Sequence, residues 1–119
     1  MGAQDSQGEG MSTIRNSARG MQCQVRLIGV CNHNPETVVW AHANGSAAGK
    51  GIGMKSHDLL GAYACSACHD VVDRRVLAPD VFHREQVELA FHEGHQRSLL
   101  ILIERGIIVV HRGKVLVSA

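Results

Sequence analysis

The sequence predicts an α+β fold in which a cysteine-bearing hairpin and helix precede a long helix and a C-terminal β-hairpin. Three observations predict it: four cysteines in two pairs bracket a strand-like segment, a helical pattern spans about 80–105, and two alternating apolar segments close the chain. The chain has 119 residues, so we expect a single domain over 13–119. Residues 1–12, rich in Gly, Gln and Ser, predict a disordered tail.

The first half of the domain is predicted to contain a hairpin. Gln24–Ile28 is a short strand candidate, and Asn32–Glu36 is a turn because it contains an Asn-Pro step. Glu36–His42 is the best strand candidate, since β-branched residues and a tryptophan stand at its centre. Pairing of these strands would bring Cys23 and Cys31 together near the base of the hairpin.

The segment Asn44–Gly53 is rich in glycine and invites comparison with a phosphate-binding loop. The spacing from Gly45 to Gly49 is one residue too short for that motif, and Lys50 is followed by glycine where Ser or Thr is required. The pattern therefore predicts a mobile connection and excludes a P-loop nucleotidase.

The second half is predicted to be mainly helical. A helix over Cys65–Arg75 opens at the second cysteine pair, and a longer helix starts near a cap at Asp80 and ends before Gly106. We expect a kink or a break at Gly94, because glycine weakens a helix interior. The alternating segments predict the terminal hairpin, Ile107–Val110 and Lys114–Val117.

Composition places the protein in the cytoplasm and favours a cross-link. Hydrophobic residues make up 45% of the chain but aromatic residues only 3%, so little area is buried per residue. Neither a signal peptide nor an apolar membrane span is visible. Disulfides are rare in the cytosol, where a Cys-x-x-Cys motif is more often metal-binding or redox-active.

The charge distribution suits a nucleic-acid partner. The net charge is only +1, but residues 11–75 carry seven basic and four acidic residues. A basic surface attracts backbone phosphates without reading sequence. The expected DNA path contains six basic residues: Arg19, Arg26, Lys50, Lys55, Arg74 and Arg75.

The four cysteines predict a zinc site. Cys65 and Cys68 can present two thiolates from one turn, and Cys23 and Cys31 supply two more. A site with four protein ligands is closed, so the zinc is expected to be structural. Two disulfides and a redox-active pair are the alternatives.

Two histidines and a carboxylate form a candidate catalytic set. His42 ends the best strand, His69 follows Cys68 directly, and Asp73 lies four residues later on the same helical face. An imidazole can activate water, and a histidine with a carboxylate can hold a divalent ion. A structural histidine at a strand end, or a contact of His69 with the zinc ligands, is the alternative. The other histidines are interpreted as surface or core-edge residues: His33, His57, His83, His92, His95 and His111.

Longer sequence strings resemble the YbcO-type nuclease family of prophages, which is similar to the zinc-bearing HNH, or ββα-metal, endonucleases. The resemblance covers about residues 13–110. Four strings carry it: Asn16-Ser-Ala-Arg19-Gly20, the run Cys23–Cys31, Asn34-Pro-Glu-Thr-Val-Val-Trp-Ala-His42, and Gly61-Ala-Tyr-Ala-Cys65-Ser-Ala-Cys68-His69-Asp70.

The resemblance implies a zinc-stapled ββα unit that cleaves DNA phosphodiesters. His42 would be the general base, His69 a ligand of a catalytic Mg²⁺ or Mn²⁺, and Asp73 a second ligand. Asp58 or Asn44 would orient the base. Many HNH enzymes carry a metal-binding Asp or His directly before the base, and this chain has Ala41 there.

The alternative function is a non-catalytic zinc module that binds DNA in phage replication or recombination. In either case the partner is DNA, with a branched or otherwise structured substrate as one option. The apolar stretches Leu99–Ile103 and Ile107–Val110 are expected to complete the core or to form a homodimer face.

Overall fold

The computed structural model describes residues 9–44, 59–80 and 82–117. Its elements run along the chain in the following order: helix α1 (Glu9–Ser17), a 3₁₀ turn (Pro35–Thr37), strands β1 (Val39–His42) and β2 (Gly61–Ala64), helices α2 (Ser66–Val72) and α3 (Arg84–Glu104), and strands β3 (Ile108–His111) and β4 (Lys114–Val117). The fold is thus mixed α and β, with the long helix and C-terminal hairpin that the sequence predicts.

The central hairpin pairs β1 with β2 in antiparallel register. Trp40 lies opposite Tyr63, and their rings meet edge to face with centroids 5.4 Å apart. His42 lies opposite Gly61. All four β2 residues are buried, whereas β1 is buried only at its centre and leaves His42 half-buried at the strand end. This geometry puts His42 at the edge of the core, where a polar side chain keeps access to solvent.

The free edge of β2 is covered by groups from other parts of the chain. The Ser98 hydroxyl accepts a hydrogen bond from the Tyr63 amide at 3.0 Å and donates to the Gly94 carbonyl at 2.6 Å. The Tyr63 carbonyl accepts from the Gln24 amide at 2.8 Å. Buried backbone groups need such partners, so α3 and the 22–25 segment seal a two-stranded sheet that would otherwise have an open edge.

Helix α3 runs unbroken past Gly94, so the predicted break there is wrong. The glycine is required for close packing instead: a Cβ at Gly94 would lie 2.9 Å from the Gln24 carbonyl oxygen. The buried face of α3 carries Val87, Ser98 and Leu102. Small residues at this crossing let the helix backbone lie directly on the 24–25 segment.

The predicted strand at Gln24–Ile28 is also wrong, and with it the predicted partner of β1. Arg26 and Gly29 adopt left-handed φ values of 57° and 80°, which turn the chain back on itself. The Cys31 amide then donates to the Leu27 carbonyl at 2.8 Å. A strand cannot contain these turns, so the segment is a compact loop and β1 pairs with β2.

The helix boundaries partly match the prediction. Gly106 follows α3 with φ of 72°, as expected for a residue after a helix end. The cap at the start is His83 and not Asp80: the Gln86 side chain accepts from the His83 amide at 2.7 Å. Helix α1 begins at Glu9, inside the predicted tail, and its Ile14 is buried in the core.

The glycine-rich connection predicted over Asn44–Gly53 lies outside the described residues from position 45 onward. Among the described helices, none combines the length and the apolarity that a membrane crossing requires.

Candidate functional site

Four cysteine sulfurs form a compact cluster between the 23–31 loop and the start of α2. The ligand atoms of Cys23, Cys31, Cys65 and Cys68 all lie within 4.8 Å of one another, and all four thiols are free. Three of the four are buried, and Cys31 is half-buried. The structure therefore contains neither of the two disulfides that were the alternative to a metal site.

Backbone amides point at these sulfurs. The Arg26 amide donates to Cys23 Sγ at 3.5 Å, the Asn32 amide donates to Cys65 Sγ at 3.4 Å, and the Cys68 amide donates to the same Cys65 sulfur at 3.4 Å. Amide donors stabilise negative charge on sulfur. Arg26 adopts a left-handed φ, and the chain turns tightly after Cys23. This turn directs the Arg26 amide at Cys23 Sγ.

The donor set fits a tetrahedral zinc ion. A zinc–sulfur distance of about 2.3 Å places the sulfurs of a tetrahedral site about 3.8 Å apart. Cys31 Sγ and Cys65 Sγ are 3.8 Å apart. Four thiolates are the donor set of many structural zinc sites, in which all four coordination positions are filled by protein. The cluster could thus hold a metal ion such as zinc.

The thiols of the cluster perturb one another strongly. A hydrogen bond from Cys68 lowers the pKa of Cys23 to about 4, and the same bond raises the pKa of Cys68. Burial raises the pKa of Cys31 to about 11. Several thiols packed together cannot all ionise without a counter-charge, and a bound divalent cation supplies one.

A second polar cluster, formed by His69 in α2 and by Asp73 directly after it, lies next to the cysteines along the chain. His69 Nε2 and Asp73 Oδ2 are 3.0 Å apart, and both side chains are 24% exposed. Asn44 Nδ2 donates to Asp73 Oδ1 at 3.0 Å, which ties the residue two places after His42 to α2. Burial lowers the pKa of His69, which favours the neutral imidazole.

The turn after α2 adds a cation to this cluster. Arg74 adopts φ of 63°, and the Arg75 amide donates to the Asp70 carbonyl at 2.8 Å, so the chain reverses over the helix end. The Arg75 guanidinium then bonds Asp70 Oδ1 at 2.8 Å and Asp73 Oδ2 at 3.0 Å. Arg75 therefore holds the Asp73 carboxylate in place, beyond its predicted role as a phosphate contact.

The remaining predicted site residues have different positions. The Arg26 guanidinium donates to the Cys23 carbonyl and to Gln24 within the cysteine loop. Arg19 is exposed in the turn after α1, and Arg74 is exposed near Glu88 on α3. Three predicted residues lie outside the described part of the chain: Lys50, Lys55 and Asp58.

A cavity of about 780 Å³ lies beside this polar cluster and is lined by residues 43, 44 and 60 next to the central strands, by the end of α2, and by α3. We call it the α3 cavity. Asp73 and Asn44 form part of its wall, and Phe91, His92 and His95 line it from α3. Its lining combines apolar side chains with several charged and hydrogen-bonding groups.

Two residues of this region were not identified from the sequence. His95 Nδ1 bonds the Gly61 carbonyl oxygen at 2.6 Å, and Arg84 donates to the last carbonyls of α2, at Val71 and Val72. The helical periodicity of α3 could have identified His95. This residue falls near the buried face that carries Val87 and Ser98, where a histidine is expected to have a hydrogen-bond partner.

Comparisons with known proteins agree with one another. The family described as "Putative nuclease YbcO" matches residues 12–107. The protein named "Putative nuclease YbcO" from Escherichia coli (strain K12) is 44% identical over 98 residues, covering 82% of this chain and 98% of the relative, and the protein named "Putative nuclease ybcO" from Enterobacteria phage 82 matches to the same extent.

A solved structure resembles the fold. It is described as "Structure of a putative bacteriophage protein from Escherichia coli str. K-12 substr. MG1655". Its TM-score is 0.65 at 40% identity, covering 79% of this chain and all of the other. The family match ends at residue 107, one residue before β3 begins, so the terminal hairpin lies outside it.

Proposed function

Because the chain belongs to the family described as "Putative nuclease YbcO", we propose that it is a metal-dependent endonuclease that cleaves DNA. In this proposal β1, β2 and α2 are an HNH-like ββα unit, and a structural zinc on the four cysteines joins the 23–31 loop to α2. A zinc held by all four cysteines would have no open coordination position, so the chemistry is assigned to His69 and Asp73 beside α2 and to the end of β1.

One observation carries the proposal: the cluster of His69 and Asp73 continues the helix that begins at the cysteine site, and Asn44 binds it from the β1 side. A single rigid staple thus orders the helix on which the candidate ligands stand. Rigid support of this kind is what a catalytic constellation requires.

His42 is assigned as general base. A neutral imidazole accepts a proton from the attacking water, and a half-buried strand end keeps the ring accessible to it. Asp73 accepts hydrogen bonds from Asn44 and Arg75, so its carboxylate stays oriented while the substrate binds.

His69 and Asp73 would hold the catalytic Mg²⁺ or Mn²⁺, with phosphate and water oxygens completing its shell. When bound, such an ion neutralises the charge that develops on the phosphodiester oxygens. The ligand that many HNH enzymes place before the base is missing, since Ala41 stands there and is fully buried in the core. Metal binding would therefore depend on His69, on Asp73 and on the phosphate of the substrate.

Nicking of supercoiled plasmid tests the proposal. Purified protein is incubated with Mg²⁺ or Mn²⁺, and wild type is compared with His42→Ala and with His111→Ala, a matched control in the exposed terminal hairpin. We expect cleavage by wild type and the control, and a loss of about 100-fold or more in His42→Ala. Zinc content is measured in each protein.

Equal cleavage by His42→Ala with zinc retained would remove His42 as the base. No cleavage by wild type, on plasmid or branched DNA, would favour the second candidate, a zinc module that binds DNA without cutting it. The burial of Ala41 where related enzymes place a metal ligand is the observation that favours this candidate. A zinc module of this kind would bind DNA more weakly as the salt concentration rises, and it would not cleave the DNA.

A further inference from the structure

We propose that the α3 cavity binds an unpaired nucleobase of the DNA substrate, so that the enzyme selects DNA containing a bulge, branch or single-stranded segment. This inference rests on the proposed nuclease function and specifies its substrate class. The α3 cavity is separate from the cysteine cluster and adjoins the proposed catalytic residues, with which it shares Asp73.

The first support is the size and surface of the cavity. Its volume of about 780 Å³ falls within the range of small-molecule sites, roughly 300–1,000 Å³. Leu60, Val72, Val87 and Phe91 contribute apolar groups to its lining. Phe91 is half-buried and packs against the core, so its ring is a fixed aromatic surface on which a base can stack.

The second support is the set of hydrogen-bonding groups on the same wall. His95 uses Nδ1 to bond the Gly61 carbonyl, which accepts hydrogen bonds only, so that nitrogen carries a proton. In the neutral ring, Nε2 is then an acceptor of known orientation. The Asn44 amide and the Glu88 carboxylate also line the cavity. Fixed donors and acceptors around an apolar surface recognise the edge of a base.

The charges on the cavity wall favour a base over a phosphate. Among the described residues of the wall, Asp73 and Glu88 oppose Arg74 and Arg84, so their formal side-chain charges sum to zero. Arg84 is further committed to the carbonyls that end α2. The exposed Arg74 remains near the surface, with its side chain 68% exposed, where it can meet a flanking phosphate.

The third support is adjacency to the proposed chemistry. Asp73 belongs both to the cavity wall and to the pair that would hold the catalytic ion. A nucleotide whose base enters the cavity therefore has its own phosphodiester beside His69 and Asp73. Extrusion of a base costs least where it is already unpaired, so the cavity would select such positions.

The test compares two labelled duplexes of identical length, one fully paired and one with a single bulged nucleotide. Binding is measured by fluorescence anisotropy with zinc-loaded protein and no added Mg²⁺ or Mn²⁺. We expect wild type to prefer the bulged duplex by about 5- to 150-fold, the range expected for stacking of one base. Phe91→Leu should lose the preference and keep its affinity for the paired duplex.

Two variants control for the fold and for the helix. Phe91→Tyr retains an aromatic ring and should keep the preference, as should Leu89→Ala, which truncates an exposed side chain on the same helix. A bulged 5-iododeoxyuridine, irradiated on wild type, gives a measurement that needs no variant. The inference predicts a cross-link in the tryptic peptide that runs from Glu85 to Arg97.

Equal affinity of wild type for the two duplexes, or a cross-link confined to peptides that do not line the cavity, would overturn the inference. If wild type nicks plasmid but shows no preference for the bulge, the cavity assignment fails and the nuclease proposal stands. If the preference depends on Phe91 but no DNA is cut, the cavity assignment stands and the nuclease proposal fails. Absence of all DNA binding overturns both.

Discussion

Replacing Cys31 by serine tests how much of the fold depends on the zinc staple. Cys31 is the least buried of the four ligands, so Cys31→Ser costs little in packing and reports mainly on the metal. Its sulfur lies 3.8 Å from that of Cys65, 34 residues along the chain. We expect the variant to bind zinc more weakly and to unfold at a lower temperature than wild type.

The magnitude follows from the length of the closed loop. A cross-link across 34 residues removes about 4 kcal/mol of chain entropy from the unfolded state on the disulfide scale. Small domains are stable by only about 5–15 kcal/mol. At about 4–8 °C per kcal/mol for a domain near this size, full loss of the staple lowers the melting temperature by roughly 15–30 °C.

The assay combines metal analysis with thermal unfolding followed by circular dichroism, under reducing conditions. Ile28→Ser is the matched control, because Ile28 lies in the same loop, is 85% exposed and is not a ligand. Wild type and the control should carry one zinc per chain and melt together. A Cys31→Ser protein with the wild-type melting temperature, or a wild type that is stable and free of metal, would refute the staple.

Three further substitutions probe the site and the core. Asp73→Asn removes the charge that faces His69. Plasmid nicking should then fall by about 10- to 100-fold or more, and unchanged nicking would count against Asp73 as a ligand. Arg74→Ala should lower the slope of log affinity against log salt concentration by about one, the value for one phosphate contact. An unchanged slope in an anisotropy titration would show that Arg74 does not contact the DNA backbone. Ser98→Ala leaves the Tyr63 amide buried without its acceptor, at a cost of about 1–3 kcal/mol, and a melting temperature equal to that of wild type would contradict that assignment.

Short-range patterns were enough to predict several features of the protein. The Cys65-x-x-Cys68 motif, together with Cys23 and Cys31, identified the cysteine cluster, because one turn can present two thiols to the same site. Gly106 marked the end of α3, since glycine tolerates the left-handed φ of 72° found there. The terminal hairpin followed from the alternation of apolar residues on either side of Gly113.

Strand pairing depended on contacts that no local pattern contains. The sequence suggested that Gln24–Ile28 would pair with the strand ending at His42, but residues 61–64 take that place. The decisive features are distant in sequence: Ser98 and Gln24 satisfy the edge of β2, and Gly94 lets α3 approach closely enough to do so.

The candidate site divides along the same line. The sequence by itself determined which groups come together locally, since the Cys65-x-x-Cys68 pair and the contact of His69 with Asp73 follow from residue type and helical spacing. Only the tertiary structure decided that Asn44 and Arg75 hold Asp73, and that His95 and Phe91 line a cavity beside it. The physical reason is that spacing within one helix fixes local neighbours, whereas a cavity exists only where separate elements pack and leave space between them.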